Sequence, residues 1–373
     1  MPHTTWTQNP PDRTPLHEAL ALAELAVGLS EPNPRVGCVI TAADGRVLGR
    51  GHTQAAGGPH AEVMALRDAA AQGHDVRGAT VHVTLEPCAH QGRTPPCADA
   101  LAAAGVARVV MAMADPNPLV NGQGRARLVA AGIEVVDGPP DVAQAAHELN
   151  IGFVSRMTRG RPWVRVKVAA SLDGRTALPG GASQWITGSA ARRDGHLWRR
   201  RAGAVMTGIG TLLADDAQLT VREVPTARQP LRVVVDARLQ TPTTARLFAA
   251  PDPVLLVTAQ PGSHACAEVL PLPGEAGRVD LGALLHALAQ RGVNELHVEA
   301  GARLNAALFE GGWVDEWLAY IAPVLLGPGL PWAALPELHR LAAAPRFTLV
   351  EALPVGDDLR LRLRPATHPC PGR

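Results

Sequence analysis

The sequence predicts an α/β protein of two domains in tandem: a three-layer sandwich around a mixed sheet, then a larger, mostly parallel sheet. Three observations carry this. Within the first 140 residues helical and strand-like patterns alternate, which layers helices over a sheet. Beyond residue 163, seven short apolar runs with few helices between them read as strands. Between the two stretches, Gly138-Pro139-Pro140 and Arg159-Gly160-Arg161-Pro162 interrupt the pattern. The expected domains are therefore 14–140 and 163–365, joined by a helix and linker over 141–162, a division that suits a chain of 373 residues.

An amphipathic, Leu/Ala-rich helix is expected over 15–28. Apolar runs at 36–41 and 46–51 flank Asp44-Gly45, a strong hairpin signal. A helix over 60–71 follows, then strand 80–85, helix 98–104, strand 108–112, helix 125–131 and strand 133–136. Asp141 can cap a helix running to about residue 156. The strands of the second domain are expected at 163–169, 204–207, 231–235, 254–258, 295–298, 316–324 and 359–363, with an antiparallel pair at the end. The first dozen residues and the tail 365–373 read as disordered.

Composition excludes several classes. With 35 basic and 34 acidic residues, the net charge of +1 offers no field to attract nucleic acid. No apolar run approaches the ~18 residues of a membrane span. Five cysteines, an odd and sparse set without a secretory signal, fit a reducing cytosol, so a cytoplasmic location is expected. Cys38 sits in the apolar run 36–40 and reads as a buried small hydrophobe.

The chemistry is concentrated in His60-Ala61-Glu62, Pro87-Cys88 and Cys97. One imidazole and two thiolates fill three corners of a zinc tetrahedron and leave the fourth for water, the arrangement of a catalytic site. Glu62, two residues beyond the histidine, has the length to reach that water and shuttle its proton. His-x-Glu followed by Pro-Cys is the signature of zinc-dependent nucleobase deaminases. Here eight residues separate the thiols, where most such sites have two. Cys97 is the expected second thiol because Pro95-Pro96-Cys97 leads into the helical pattern 98–104, where a helix start favours a thiolate. His90 is a rival ligand, or a residue facing the substrate. A purely structural knot would want a fourth protein ligand, and none is evident. Both His60 and Glu62 are expected in the first turn of their helix.

The second domain lacks a full dinucleotide fingerprint: Gly208-Ile209-Gly210 is followed by Thr-Leu-Leu, without a third glycine. Leu296 to Gly301 reads as a strand leading into the helical pattern 304–309. Backbone amides at 301–303 could then cradle a phosphate.

With Asn33-Pro34-x-Val36-Gly37, the stretch from Pro87 to Cys97 closely resembles the bifunctional deaminase–reductase family of riboflavin biosynthesis. The resemblance continues through Ser171-Leu172-Asp173-Gly174-Arg175, Ser183-Gln184-Trp185-Ile186-Thr187, Leu213-Ala214-Asp215-Asp216 and Val298-Glu299-Ala300-Gly301, and spans roughly residues 14–364. It implies a cytidine-deaminase-like first domain and a dihydrofolate-reductase-like second domain. The implied reactions are zinc-dependent deamination of a pyrimidine ribose-phosphate and NADPH-dependent reduction of its ribosyl group. By matching motif, Ala169, Trp185, Thr211, Asp215 and the stretch Gly301, Ala302, Arg303, Leu304, Asn305, Ala306, Ala307 would line the cofactor. Ser183, Arg199, Leu219, Arg222 and Glu299 would face the substrate, the arginines suiting a phosphate monoester. Lys167 would sit near the sugar and help open its ring, or be a solvated strand lysine; Trp185 would meet the cofactor, or be core.

Three positions depart from the family pattern. Relatives often carry histidine where Thr53 stands, next to His52, and Ala217 and Ala237 replace proline and a hydroxyl residue. Small-molecule substrates are expected, without nucleic acid or membrane partners, and a homo-oligomer is compatible with the sequence. Two rivals remain: an enzyme acting on free nucleosides or tRNA, and a zinc-stabilised binding module without turnover.

Overall fold

The chain divides into two compact units, one ending at Arg159 and the other beginning at Gly160. The structure is a computed structural model that describes residues 14–89, 95–118 and 120–366. The segments expected to be disordered, apart from Pro365 and Ala366, lie outside these residues, as does His90.

The first unit runs α1 (Pro15–Glu24), β1 (Gly37–Thr41), β2 (Val47–His52), α2 (Ala61–Ala71), β3 (Thr80–Val83), α3 (Cys97–Ala103), β4 (Arg108–Met111), α4 (Gln123–Ala130), β5 (Glu134–Asp137), α5 (Pro140–Leu149) and α6 (Ile151–Arg159). Its sheet has the order β2-β1-β3-β4-β5. β1 pairs antiparallel with β2 and β3, while β3, β4 and β5 are parallel. Alternation along β1 divides two cores. Val39 packs with Leu16 and Ala19 of α1 and with Val142 and Ala146 of α5. Cys38 and Ile40 face the other way, among Ala61, Ala65, Leu101 and Leu128 of α2, α3 and α4. Helices therefore cover both faces and make three layers; Cys38 is fully buried.

The helices lie very close to the hairpin. A Cβ at Gly51 would stand 2.2 Å from the Ala61 carbonyl oxygen, and one at Gly49 2.3 Å from that of Ala65. Only glycine lets α2 sit there.

Four local expectations are corrected. α1 stops at Glu24, short of residue 28. His60 is the extended residue that caps α2, so only Glu62 lies in the first turn. The single helix expected over 141–156 is two, because the buried Asn150 interrupts it: its side chain accepts from Arg35 N (2.8 Å) and donates to Arg35 O (2.9 Å). Asp141 is not the cap; Pro139 holds that position.

The second unit comprises β6 (Trp163–Ser171), β7 (Arg175–Ala177), α7 (Ser189–Arg201), β8 (Ala204–Gly208), α8 (Ile209–Asp215), β9 (Leu231–Val235), β10 (Val254–Thr258), β11 (Glu268–Pro271), α9 (Leu281–Gln290), β12 (Glu295–Val298), α10 (Ala302–Glu310), β13 (Glu316–Ala322), β14 (Leu330–Pro331), β15 (Phe347–Val355) and β16 (Asp358–Pro365). The main sheet has nine strands in the order β11-β10-β9-β8-β12-β6-β13-β16-β15. It is parallel from β11 to β13 and antiparallel at β13/β16 and β16/β15. β7 and β14 form a separate pair.

Alternation in β6 positions the second site. Val164, Val166 and Val168 enter the core with Leu284, Leu288 and Leu308. Arg165 and Lys167 take the other face with α7: Arg165 lies 4.4 Å from the Trp198 ring centre and is paired with Glu295 (2.7 Å) and Glu316 (2.6 Å). Among the described residues, no helix is long and apolar enough to cross a membrane.

Candidate active sites

In the first unit, three predicted metal ligands converge from three elements: His60 from the cap of α2, Cys88 from the loop after β3, and Cys97 from the first position of α3. Their ligand atoms lie within 4.8 Å of one another. His60 Nδ1 is 3.6 Å from Cys88 Sγ and 3.3 Å from Cys97 Sγ. Tetrahedral zinc with ordinary Zn–S and Zn–N bonds requires S···N separations of about 3.6 Å. The donor set fits that ion. Hydrogen bonding to Cys97 holds the Cys88 thiol down to about 4, and sharing that bond pushes Cys97 up; a bound metal deprotonates both.

Glu62 is buried, and burial pushes its carboxyl up to about 7. Together with His60 and Cys88 it lines a cavity of about 460 Å³. Asn33 and Val36, Asp115 and Asn117, and Phe153 and Arg156 of α6 also line it. Thr53 lines this cavity; its neighbour His52 does not, and points its carbonyl at Gln54 Nε2 (2.8 Å). Asp115 and Asn117 escaped the sequence reading because Asp-Pro-Asn-Pro reads as an ordinary turn. Buried Glu86 holds them there, accepting from the amides of Asp115 (3.0 Å), Gly122 (3.1 Å) and Arg125 (3.0 Å).

In the second unit a cavity of about 300 Å³ gathers ten of the predicted residues: Lys167, Ala169, Ser183, Trp185, Arg199, Thr211, Asp215, Leu219, Arg222 and Glu299. Trp185 is 67 % exposed, so it is not core; the Arg192 guanidinium lies 4.5 Å from its ring centre. Lys167 is not solvated either: its Nζ is 4.0 Å from Glu299 Oε2, and burial lowers its pKa. Burial alone would raise the Glu299 carboxyl, but the charges of Arg199 and Lys167 outweigh it and hold it well below the usual range.

The stretch Gly301 to Ala307 does not line this cavity. Gly301 caps α10 next to Thr211, where a Cβ would come within 3.4 Å of Thr211 Oγ1. Asn305 and Ala306 are buried, and Asn305 Nδ2 donates to the Ala300 (3.1 Å) and Trp332 (2.8 Å) carbonyls. Arg303 is exposed.

His196 was missed. It lines the cavity, and its Nδ1 accepts from Arg222 N (3.2 Å). Burial, then the charges of Arg199 and Arg222, lower its pKa to about 4, so it is neutral. Its spacing from Arg199, three residues along one helix, was the available signal.

Residues 10–113 match the cytidine and deoxycytidylate deaminase zinc-binding region, and residues 162–361 match the RibD C-terminal domain. Riboflavin biosynthesis protein RibD of Escherichia coli (strain K12) is 46 % identical over 363 residues, covering 92 % of this chain and 97 % of that protein. The chain belongs to the RibD family. A RibD from Haemophilus influenzae is 42 % identical over 94 % of the chain and 96 % of its own length. Among solved structures, Acinetobacter baumannii RibD superimposes with a TM-score of 0.86 at 43 % identity, covering 95 % of this chain and 98 % of that one. The diaminohydroxyphosphoribosylaminopyrimidine deaminase/5-amino-6-(5-phosphoribosylamino)uracil reductase of Thermotoga maritima gives 0.85 at 32 %, covering 94 % and 98 %. As a RibD family member, the protein is a bifunctional deaminase and reductase of riboflavin biosynthesis, with a zinc-binding deaminase unit and a reductase unit suited to a nicotinamide cofactor.

Proposed function

We propose that the first unit deaminates 2,5-diamino-6-(5-phosphoribosylamino)pyrimidin-4-one, and that the second reduces the ribosyl group of 5-amino-6-(5-phosphoribosylamino)uracil to ribityl with NADPH. The observation that carries the first half is Glu62, buried beside a His/Cys/Cys set of zinc geometry in the lining of a cavity of about 460 Å³. His60, Cys88 and Cys97 would hold zinc, which when bound would lower the pKa of water to about 7 and so supply a nucleophile at neutral pH. Glu62 accepts the proton of the attacking water, passes one to the ring nitrogen, and protonates the amino group that leaves as ammonia.

The second half rests on the charge pattern of its cavity. Arg222 offers a guanidinium group to the substrate phosphate, a bidentate match that lysine does not provide, while Arg199 grips Glu299 and the Thr220 carbonyl beside it. Lys167 has a lowered pKa and protonates the ribose ring oxygen as the C1–O bond breaks and the lone pair of the attached amino nitrogen forms a C1=N bond, which exposes C1 to reduction. A nicotinamide cofactor held beside these residues would supply the hydride for that carbon. Ala169, Trp185, Thr211 and Asp215 line the cofactor side, and the amides that open α10 at Gly301 to Arg303 suit a phosphate of the cofactor.

The test is anaerobic incubation of the full chain with the diaminopyrimidine phosphate, following ammonia release and then loss of reduced-nicotinamide absorbance, with NADPH and NADH in parallel. Ammonia release without zinc, or equal rates with both nucleotides, would refute the corresponding half. A substrate lacking the 5-phosphate should react poorly; equal turnover would favour a nucleoside enzyme.

Two further readings accompany this one. β15 ends the sheet with one edge unpaired among the described residues, and it exposes Leu349, Val350 and Leu353. Such an edge invites a second copy, so a homo-oligomer is expected by sedimentation. The sparse cysteines suit the cytoplasm.

A further inference from the structure

The two thiols of the zinc site belong to separate elements, and the structure shows what holds those elements in register. Cys88 lies in the loop after β3, and Cys97 opens α3. α4 touches both. Arg127 Nη1 donates to the carbonyl oxygen of Ala89, the residue after Cys88 (2.9 Å). Its Nη2 donates to Asp99 Oδ2 (2.7 Å), and its Nε pairs with Asp99 Oδ1; Asp99 lies two residues past Cys97 in the first turn of α3. One guanidinium thus bridges the two thiol-bearing segments.

α4 is itself fixed on the Cys88 side. Glu86 accepts from Arg125 N at the start of the helix (3.0 Å), and a Cβ at Gly124 would stand 2.0 Å from the Pro87 carbonyl oxygen. The helix cannot shift without carrying residues 86–89 along. Through Arg127, that fixed position is passed to α3 and so to Cys97.

We infer that Arg127 is a positioning residue for the zinc site, setting the separation of the two thiolates through the Ala89 carbonyl and the Asp99 carboxylate. The inference rests on the zinc reading of this site, which the metal content of the wild-type protein tests separately. Arg127 and Asp99 are about half exposed, at 49 % and 44 %. An exposed pair of this kind adds little to folding stability. Its value is in geometry: zinc tolerates ligand distances only within about 0.2 Å, and loss of outer-shell partners typically weakens metal binding about 10- to 100-fold.

The experiment uses the zinc-loaded full chain, titrated with a chelating zinc indicator, as wild type, Arg127→Ala, Asp99→Ala, the double variant and Arg127→Lys. The two single variants should release zinc at about tenfold lower indicator concentration, the low end for such partners. The double variant should be no worse than either single one, because both remove the same bridge. Arg127→Lys should fall between, since an ammonium cannot reproduce the planar two-point grip. The melting temperature of zinc-stripped Arg127→Ala should match that of the zinc-stripped wild type. Retention of zinc by Arg127→Ala at the wild-type indicator concentration would overturn the inference. So would a drop in melting temperature as large without zinc as with it, which would mark a general packing role.

Discussion

Arg199 and Glu299 form a two-point ion pair in the wall of the reductase cavity, with Nε 2.5 Å from Oε1 and Nη2 2.8 Å from Oε2. His297, fully buried behind them, brings Nε2 within 3.2 Å of the same Oε1, and Lys167 approaches Oε2. Three residues from three elements thus share one carboxylate.

Glu299→Gln should unfold the reductase unit more readily, by about 3 kcal/mol, because removing one partner strands the charge of the other. The carboxyl of Glu299 is held well below its ordinary value. Its contribution is therefore complete above about pH 4.3, its value in the unfolded chain, and is lost as pH falls toward the folded value. Urea titrations of wild type and variant should converge in acid. Ammonia release should continue in the variant while reduction stops.

His196→Gln should flatten part of the pH dependence of stability. The imidazole has a pKa of about 4 in the folded protein and about 6.5 when unfolded. Between these values the unfolded chain binds the additional proton, so the wild type gains stability as pH rises from 4 to 6.5. The variant should lose that slope in urea melts at pH 4.5 and 7; an unchanged slope would show that His196 is not held neutral.

Arg222→Ala should raise KM in the reductase step by about tenfold or more, the cost of a charge-assisted hydrogen bond. For a substrate without the phosphate its KM should not differ from that of the wild type. Deaminase kinetics in the same protein serve as the control.

Glu62→Gln should lower deaminase kcat by about 10²- to 10⁴-fold. Zinc content by elemental analysis should stay near one per chain, because Glu62 is not a ligand. Reduced-nicotinamide oxidation with the uracil substrate should persist.

The sequence exposed some of these sites more readily than others. The zinc ligands were legible because each residue type is fixed by the chemistry of the ion. The interior strand β10 was legible as an unbroken Val/Leu run, since both faces of a parallel sheet are covered; β8, β9 and β12 were legible as short apolar runs despite Thr207, Arg232 and His297 within them. β15 was not: Glu351 and Pro354 break its apolar residues into short pieces, and those residues are mostly exposed, so no core face imposes an alternation. The break between α5 and α6 depends on a distant partner of Asn150, which no local pattern encodes. In the stretch from Gly301 to Ala307, a motif match could not say which positions turn inward; Asn305 and Ala306 do. His196 sits among five arginines of α7, a composition that reads as a solvated face.

The empty positions at Gly49 and Gly51 have a consequence for transplanting this centre. A methyl group at Gly51 would displace the start of α2 by about 1 Å before ordinary contact distance is restored. His60 immediately precedes that helix, and a misplacement of this size can cost about 100-fold in rate. The signature tripeptide alone is thus an incomplete specification: moved to another scaffold without a bare floor beneath it, it would carry the right donors at the wrong height. Two absent carbon atoms belong to the reaction as surely as the side chains that perform it.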